Sequence, residues 1–263
     1  MATPANWFDH GGADYARYRP DYPDSLGDYL AGIAPDHAQA VDVGCGSGQL
    51  TALLARRFAA VVGLDPSADQ LAHAAGLPNI RYRQAPAEAL PLPDGAASLV
   101  TAAQAAHWFD LPAFYAEVRR IARPGAVLAL ISYGALSLDP DPRAEPHDPA
   151  ARALHARFER FYRAEIGPWW PPERALVDSG YAGIDFPFAA IAVPALQIRR
   201  HWPLADLLGY VATWSAVRRA REAGQSALLA RFGEDLTALW GDPAQPRAVA
   251  WPIALRVGRI SGD

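Results

Sequence analysis

Two acids that flank a glycine-rich turn are the residues best placed for chemistry. Asp42 and Val43 lead into Gly44-Cys45-Gly46-Ser47-Gly48, and Asp65 closes the next apolar run, Val61-Val62-Gly63-Leu64. Alternate glycines between an apolar run and a helical pattern predict a buried strand, a tight turn and a helix whose start is open to a ligand. An acid at the end of the second strand can hold both hydroxyls of a ribose. Dinucleotide enzymes space their glycines G-x-G-x-x-G, so that a pyrophosphate rests on the helix N-terminus. Here the spacing is G-x-G-x-G, and Asp42 beside the loop would repel a phosphate. The pattern suits a ligand that bears an amine or another cationic group.

Other residues are candidates for acting on whatever that ligand meets. His107 follows the fourth predicted strand, and open α/β sheets bind ligands beyond the carboxyl ends of their strands. An imidazole there can deprotonate an acceptor hydroxyl or amine, or bind a carboxylate. Gln104 lies at the same strand end. Near the start, Tyr15, Tyr18 and Arg19 can fold over a bound ligand, the arginine pairing with a carboxylate. Trp169, Trp170, Trp202 and Trp214 can line an aromatic pocket. The Asp139/Asp141 and His147/Asp148 pairs lack metal-ligand spacing, so no metal site is expected.

The elements that must position these residues alternate. Strands are expected at Ala40–Val43, Ala60–Leu64, Ile80–Gln84, Ala97–Ala102 and Ala126–Ser132. Helices are expected at Pro23–Ala34, Gly48–Phe58, Ser67–Ala75 and Leu111–Ile121. Strands separated by short helices mean βαβ units and a parallel sheet. Beyond Gly134 the rhythm changes. Helices are expected at Ala150–Arg163, from Trp169 to near Gly180, at Pro203–Ala223 and at Gln225–Leu239. Strands are expected at Tyr181–Val193 and Val249–Ile260. One domain spanning 1–263 is expected, with a lid segment at 1–22, a ligand-binding core at 36–134 and cap insertions at 139–168 and 196–242.

Composition excludes several classes. A net charge of −4 gives no electrostatic reason for nucleic-acid binding. All 24 basic residues are arginine, which looks like the coding bias of a GC-rich bacterial genome and says nothing about chemistry. The single cysteine, Cys45, rules out an internal disulfide and fits a reducing cytoplasm. No apolar run is long enough to span a bilayer, and no signal peptide is expected, since Met1–Arg19 is polar and aromatic.

The loop resembles motif I of the class I S-adenosylmethionine (SAM)-dependent methyltransferases, and three further stretches extend the likeness. Gly63-Leu64-Asp65-Pro66-Ser67-Ala68-Asp69-Gln70-Leu71 is similar to motif II, and Gln84-Ala85-Pro86-Ala87-Glu88-Ala89-Leu90-Pro91-Leu92-Pro93-Asp94 to motif III. Ala122-Arg123-Pro124-Gly125-Ala126 matches the turn before the fifth strand. Tyr18-Arg19-Pro20, His107-Trp108-Phe109 and Thr213-Trp214-Ser215 resemble a narrower branch of small-molecule enzymes of the trans-aconitate methyltransferase kind.

The resemblance implies a Rossmann-like fold: a mostly parallel seven-stranded sheet with its last strand antiparallel, helices on both faces and a helical cap. It implies SAM as cofactor and S-adenosylhomocysteine as product, held by Tyr18, Arg19, Asp42, Gly44, Cys45, Gly46, Gln49, Asp65, Pro66, Gln70, Ala87, Glu88 and Gln104. A small-molecule methyl acceptor would meet Trp108, Trp170, Tyr210 and Trp214, with His107 as the catalytic residue and transfer to oxygen or nitrogen. A monomer or homodimer is expected. Many relatives have an acid where this chain has Pro86, so the adenine amine needs another partner, such as Glu88 or a main-chain carbonyl. An NAD-dependent oxidoreductase and a non-catalytic SAM-binding partner protein are the alternatives.

Overall fold

The computed structural model describes residues 17–138 and 149–260. Expectations that fall on 1–16, including Tyr15, and on 139–148 lie outside them. Helix α1 (Asp24–Ile33) precedes the sheet, and the chain then alternates: β1 (Gln39–Val43), α2 (Gln49–Ala55), β2 (Ala60–Asp65), α3 (Ala68–Ala72), β3 (Ile80–Gln84), β4 (Ala97–Ala103), α4 (Leu111–Ile121) and β5 (Ala122–Tyr133). The second half contains β6 (Ser137–Leu138), α5 (Pro149–Arg160), α6 (Arg174–Asp178), β7 (Ala189–Ala190), β8 (Leu196–Trp202), α7 (Leu204–Ala212), α8 (Ser215–Glu222), α9 (Ser226–Trp240) and β9 (Arg247–Arg259).

Strands β3-β2-β1-β4-β5 run parallel in that order, and β9 joins β5 antiparallel. Among the described residues the sheet has nine strands, but its registers make it seven strand positions wide. On one edge of β9, β5 pairs with Ile253–Arg259 and β6 continues the same edge at Val249 and Ala250. On the other edge, β8 pairs with Arg247–Ile253, and β7 continues at Gly258 and Arg259. The short strands β6 and β7 are therefore collinear extensions, and among the described strands β9 alone opposes the main direction.

Alternation along the strands divides the core between two faces. Val127, Ala129 and Ile131 of β5 face α1 and α2 through Leu26, Leu30 and Leu54. Leu128 and Leu130 face α4 through Phe114, Val118 and Ile121. Each fully buried side chain of this kind contributes about 1.5–3 kcal/mol. Helix α4 forms where predicted. Asp110 caps it by accepting from the Ala113 amide, Pro112 fits its first turn, and Arg119 and Arg120 sit in the last turn.

The second half departs from the sequence pattern in three places. The strand expected over Tyr181–Val193 shrinks to Ala189–Ala190, because Gly180 and Tyr181 both adopt left-handed backbone (φ 62° and 63°) and fold the chain back after α6. The main outer strand is β8, so the stretch 196–242 opens with a sheet strand before its helices begin. The helix expected from Pro203 to Ala223 breaks at Trp214, whose ψ of 139° is extended, and Trp214 thus sits between α7 and α8. No described helix is long and apolar enough to cross a membrane.

Candidate active site

The first strand delivers the glycine loop to the open edge of the sheet. Gly44 turns with φ +67°, and a β-carbon there would lie 2.5 Å from Cβ of Ala105, so the position admits only glycine. The amides of Gly44 and Cys45 both donate to the Leu64 carbonyl, at 2.7 and 3.0 Å, which seats the loop on the end of β2. Asp65 closes the seat. Its Oδ2 accepts from the Gly46 amide and its Oδ1 from the Ser67 amide, each at 2.8 Å. Burial raises its carboxyl pKa and these two amides oppose the rise. A carboxylate accepts about four hydrogen bonds, so lone pairs remain for a ligand's hydroxyls. Beside the loop, Oε1 of Gln70 is buried with no partner among the described residues, 3.6 Å from where a Gly46 β-carbon would stand. The cradle is thus rich in acceptors.

Asp42 is turned inward. Its Oδ1 accepts from the Thr101 hydroxyl at 2.8 Å and its Oδ2 from Thr51 at 2.7 Å. Thr101 is its register partner on β4, and Thr51 comes from α2. This carboxylate ties β1, β4 and α2 together behind the loop. It is 1% exposed, and burial first, then the nearby Asp65 charge, pushes its pKa up to about 6 against the pull of the two hydroxyls. The Cys45 thiol is also buried, and the same burial raises its pKa well above the ordinary range, so it stays protonated.

The remaining loop residues fall as follows. Gln49 folds back onto the Ser47 hydroxyl at 2.9 Å. The Pro66 carbonyl accepts from Gln84 Nε2 at 2.8 Å. Glu88 Oε1 accepts from the Asp110 amide at 2.9 Å, which anchors the Ala87 turn to the start of α4. The Ala87 side chain is buried, and no bond from its amide to a described residue exists in the turn.

At the end of β4, Gln104 holds a left-handed backbone (φ 54°) and donates from Nε2 to the Tyr133 carbonyl at 3.0 Å. Left-handed backbone is uncommon away from glycine, and such strain concentrates at functional sites. His107 lies in the short helical turn Ala106–Trp108, its ring 4.8 Å from that of Trp108. Its Nδ1 meets the Tyr181 hydroxyl at 3.1 Å. That hydroxyl belongs to a side chain with no exposure, and the amides of Ala105, Ala106 and His107 face its oxygen. When that hydroxyl donates to His107 Nδ1, the imidazole proton lies on Nε2. Burial first, and the Arg174 charge second, lower the His107 pKa to about 3. The ring is neutral at physiological pH, and in that tautomer Nε2 is a donor.

A methyltransferase domain model matches residues 41–130. A protein of Dictyostelium discoideum described as a methyltransferase is 33% identical over 90% of this chain and 88% of its own length. The structure of a protein of Anaeromyxobacter dehalogenans described as a type II methyltransferase is 42% identical, with a TM-score of 0.82, over 94% of this chain and all of that one. The chain belongs to the class I SAM-dependent methyltransferases. A trans-aconitate 2-methyltransferase of Deinococcus radiodurans is 43% identical over 38% of this chain and 41% of its own length.

In this methyltransferase Tyr18 and Arg19 dock against α7 and the residue that follows it. The Tyr18 ring fills the notch left by Gly209 on α7. Arg19 donates from Nη1 to the Tyr133 hydroxyl at 3.2 Å and from Nη2 to the Thr213 carbonyl at 3.5 Å, and its guanidinium lies 5.4 Å from the Tyr210 ring. Tyr210 accepts from Trp251 Nε1 at 3.0 Å. Trp214 is buried among Phe158, Phe161, Tyr162, Trp170 and Tyr210. The structure thus joins Tyr18, Arg19, Tyr210, Trp214 and Trp170 in one cap cluster. His107 and Trp108 form a turn against which α6 packs.

Sequence reasoning missed Thr51, Thr101, Tyr181 and Arg174. The threonines carried a weak signal, since each falls on an inward face of a predicted element. Tyr181 and Arg174 carried none, because their positions depend on the left-handed turn at Gly180.

Proposed function

We propose that this methyltransferase transfers the methyl group of SAM to an oxygen or nitrogen of a small-molecule acceptor held beneath the helical cap. The observation that carries the reading is the acceptor-rich cradle of Asp65, Gln70 and the glycine loop. A ligand for that cradle must present donors and positive charge and must lack phosphate. The ribose hydroxyls, ammonium and sulfonium of SAM meet that description. Asp65 would hold the ribose, Gln70 Oε1 would accept a donor, and the Ala87 amide would donate to an adenine ring nitrogen.

When bound, SAM supplies a methyl group already activated by its sulfonium, so the chain's task is to align the acceptor and exclude water. The aromatic cap supplies exclusion. His107 gives a donor from Nε2 and orients the acceptor. An imidazole this weakly basic, with the proton on its outward nitrogen, serves poorly as a base. The enzyme's acceleration then comes from proximity.

Calorimetry with S-adenosylhomocysteine tests the cofactor reading. Asp65→Ala loses charge-assisted bonds worth about 2–3 kcal/mol, or roughly thirty- to hundred-fold in affinity. Unchanged affinity would sink the assignment. Methyl transfer from labelled SAM to a small-molecule panel tests the reaction.

A further inference from the structure

We infer that the cap holds a subsite for a carboxylate on the methyl acceptor, with Arg174 as its specificity residue. The inference rests on the methyltransferase reading above and deepens it. Arg174 opens α6, the helix that packs against the His107 turn. One edge of its guanidinium is engaged: Nε donates to Asp178 Oδ1 at 3.0 Å and Nη2 to the Tyr162 hydroxyl at 2.9 Å. The Tyr162 hydroxyl in turn pairs with the same Asp178 oxygen at 2.9 Å. Nη1 has no partner among the described residues, and the side chain keeps 17% of its exposure. The group is therefore fixed at one end and open at the other.

Trp170 and His107 add donors beside it. The Trp170 ring lies 4.6 Å from the guanidinium, and its indole N–H is buried without a partner. His107 presents Nε2–H, and the Arg174 charge reaches His107, Tyr181 and Tyr210. A largely enclosed cation and an orphaned N–H cost free energy unless an acceptor meets them. Asp178 neutralises Arg174 only from its Nε edge, and a guanidinium can bind a second carboxylate at its free end. Surrounding aromatic rings raise the strength of such a pair by excluding water.

The test uses the full chain saturated with S-adenosylhomocysteine, whose binding is first confirmed by calorimetry. Failure at that step would refute the cofactor reading and not this one. Phenylacetate, cinnamate and benzoate, with their primary amides, are then titrated against tryptophan fluorescence. At least one acid is expected to bind about ten-fold or more tighter than its amide, the effect of a charge-assisted bond. Arg174→Met should erase that preference, and Arg174→Lys should restore part of it, while both keep the affinity for S-adenosylhomocysteine. Amides that bind as well as the acids, acids that bind Arg174→Met as well as the parent, or no acid binding at millimolar concentration would each overturn the subsite.

Discussion

Replacing Asp42 by Asn should flatten the pH dependence of folding stability. The carboxyl is enclosed by Thr51 and Thr101 and is 1% exposed. Its pKa moves from 3.8 to about 6, first through burial. The folded protein keeps this proton up to about pH 6, whereas the unfolded chain releases it near 3.8. Between those values the folded state binds more protons, so stability falls as pH rises. At ~1.4 kcal/mol for each pH unit across that interval, the ionised group costs the fold about 3 kcal/mol above pH 6 and nothing below 3.8. Asparagine carries no such charge. It keeps one acceptor, and the second threonine hydroxyl can rotate to accept from the new amide. That rearrangement is independent of pH and cancels when two pH values are compared. Urea unfolding of both proteins at about pH 4 and about pH 7.5 therefore isolates the charge. The difference between variant and parent should shift toward the variant by about 1–3 kcal/mol on going to the higher pH. Parallel stability curves would refute the reasoning and mean that water reaches this carboxylate.

Three further outcomes follow from the same geometry. His107→Gln should raise KM for the acceptor and lower kcat by less than about ten-fold, and parental turnover should show no ionisation of this group between about pH 6 and pH 9. A loss of kcat beyond about hundred-fold at constant KM would restore the base. Gly44→Ala meets both a left-handed backbone and the Ala105 β-carbon, and should weaken S-adenosylhomocysteine binding by at least about ten-fold in calorimetry. Trp214→Ala empties the centre of the cap cluster and should cost about 3–5 kcal/mol in chemical unfolding; a loss under about 1 kcal/mol would show that the cluster collapses around the gap.

The first half of the fold was legible because each of its signals is local. An apolar run, a glycine turn and a helical pattern recur within short stretches, so β1 to β5 and α4 fall within a few residues of their predicted bounds. The placement of Gly44 and Asp65 was legible for the same reason: it follows from neighbours one strand away. The second half was not legible at the same level. Apolar residues from Tyr181 onward read as a strand, yet two left-handed residues at 180 and 181 spend them on a turn. Asp42 was legible as a residue beside the loop, while its partners were not, because Thr101 reaches it only through the register of β4 against β1. Arg174 was invisible: nothing in its neighbourhood of the sequence shows that α6 returns to the His107 turn.

Strand β9 has a consequence for how the protein is made. Its thirteen residues are the common partner of β5 on one side and β8 on the other. Both wait for it during synthesis. While the ribosome has released only the first half, β5 has an unpaired edge, and such edges recruit other chains. When β8 and its helices follow, they too lack the strand that anchors them to the core. Neither half can close until residues 247–259 have left the exit tunnel, long after β5 has emerged. Translation at roughly 5–20 residues per second makes that interval several seconds or more. The nascent chain would then spend it with an open sheet edge, a natural client for a chaperone that covers unpaired strands.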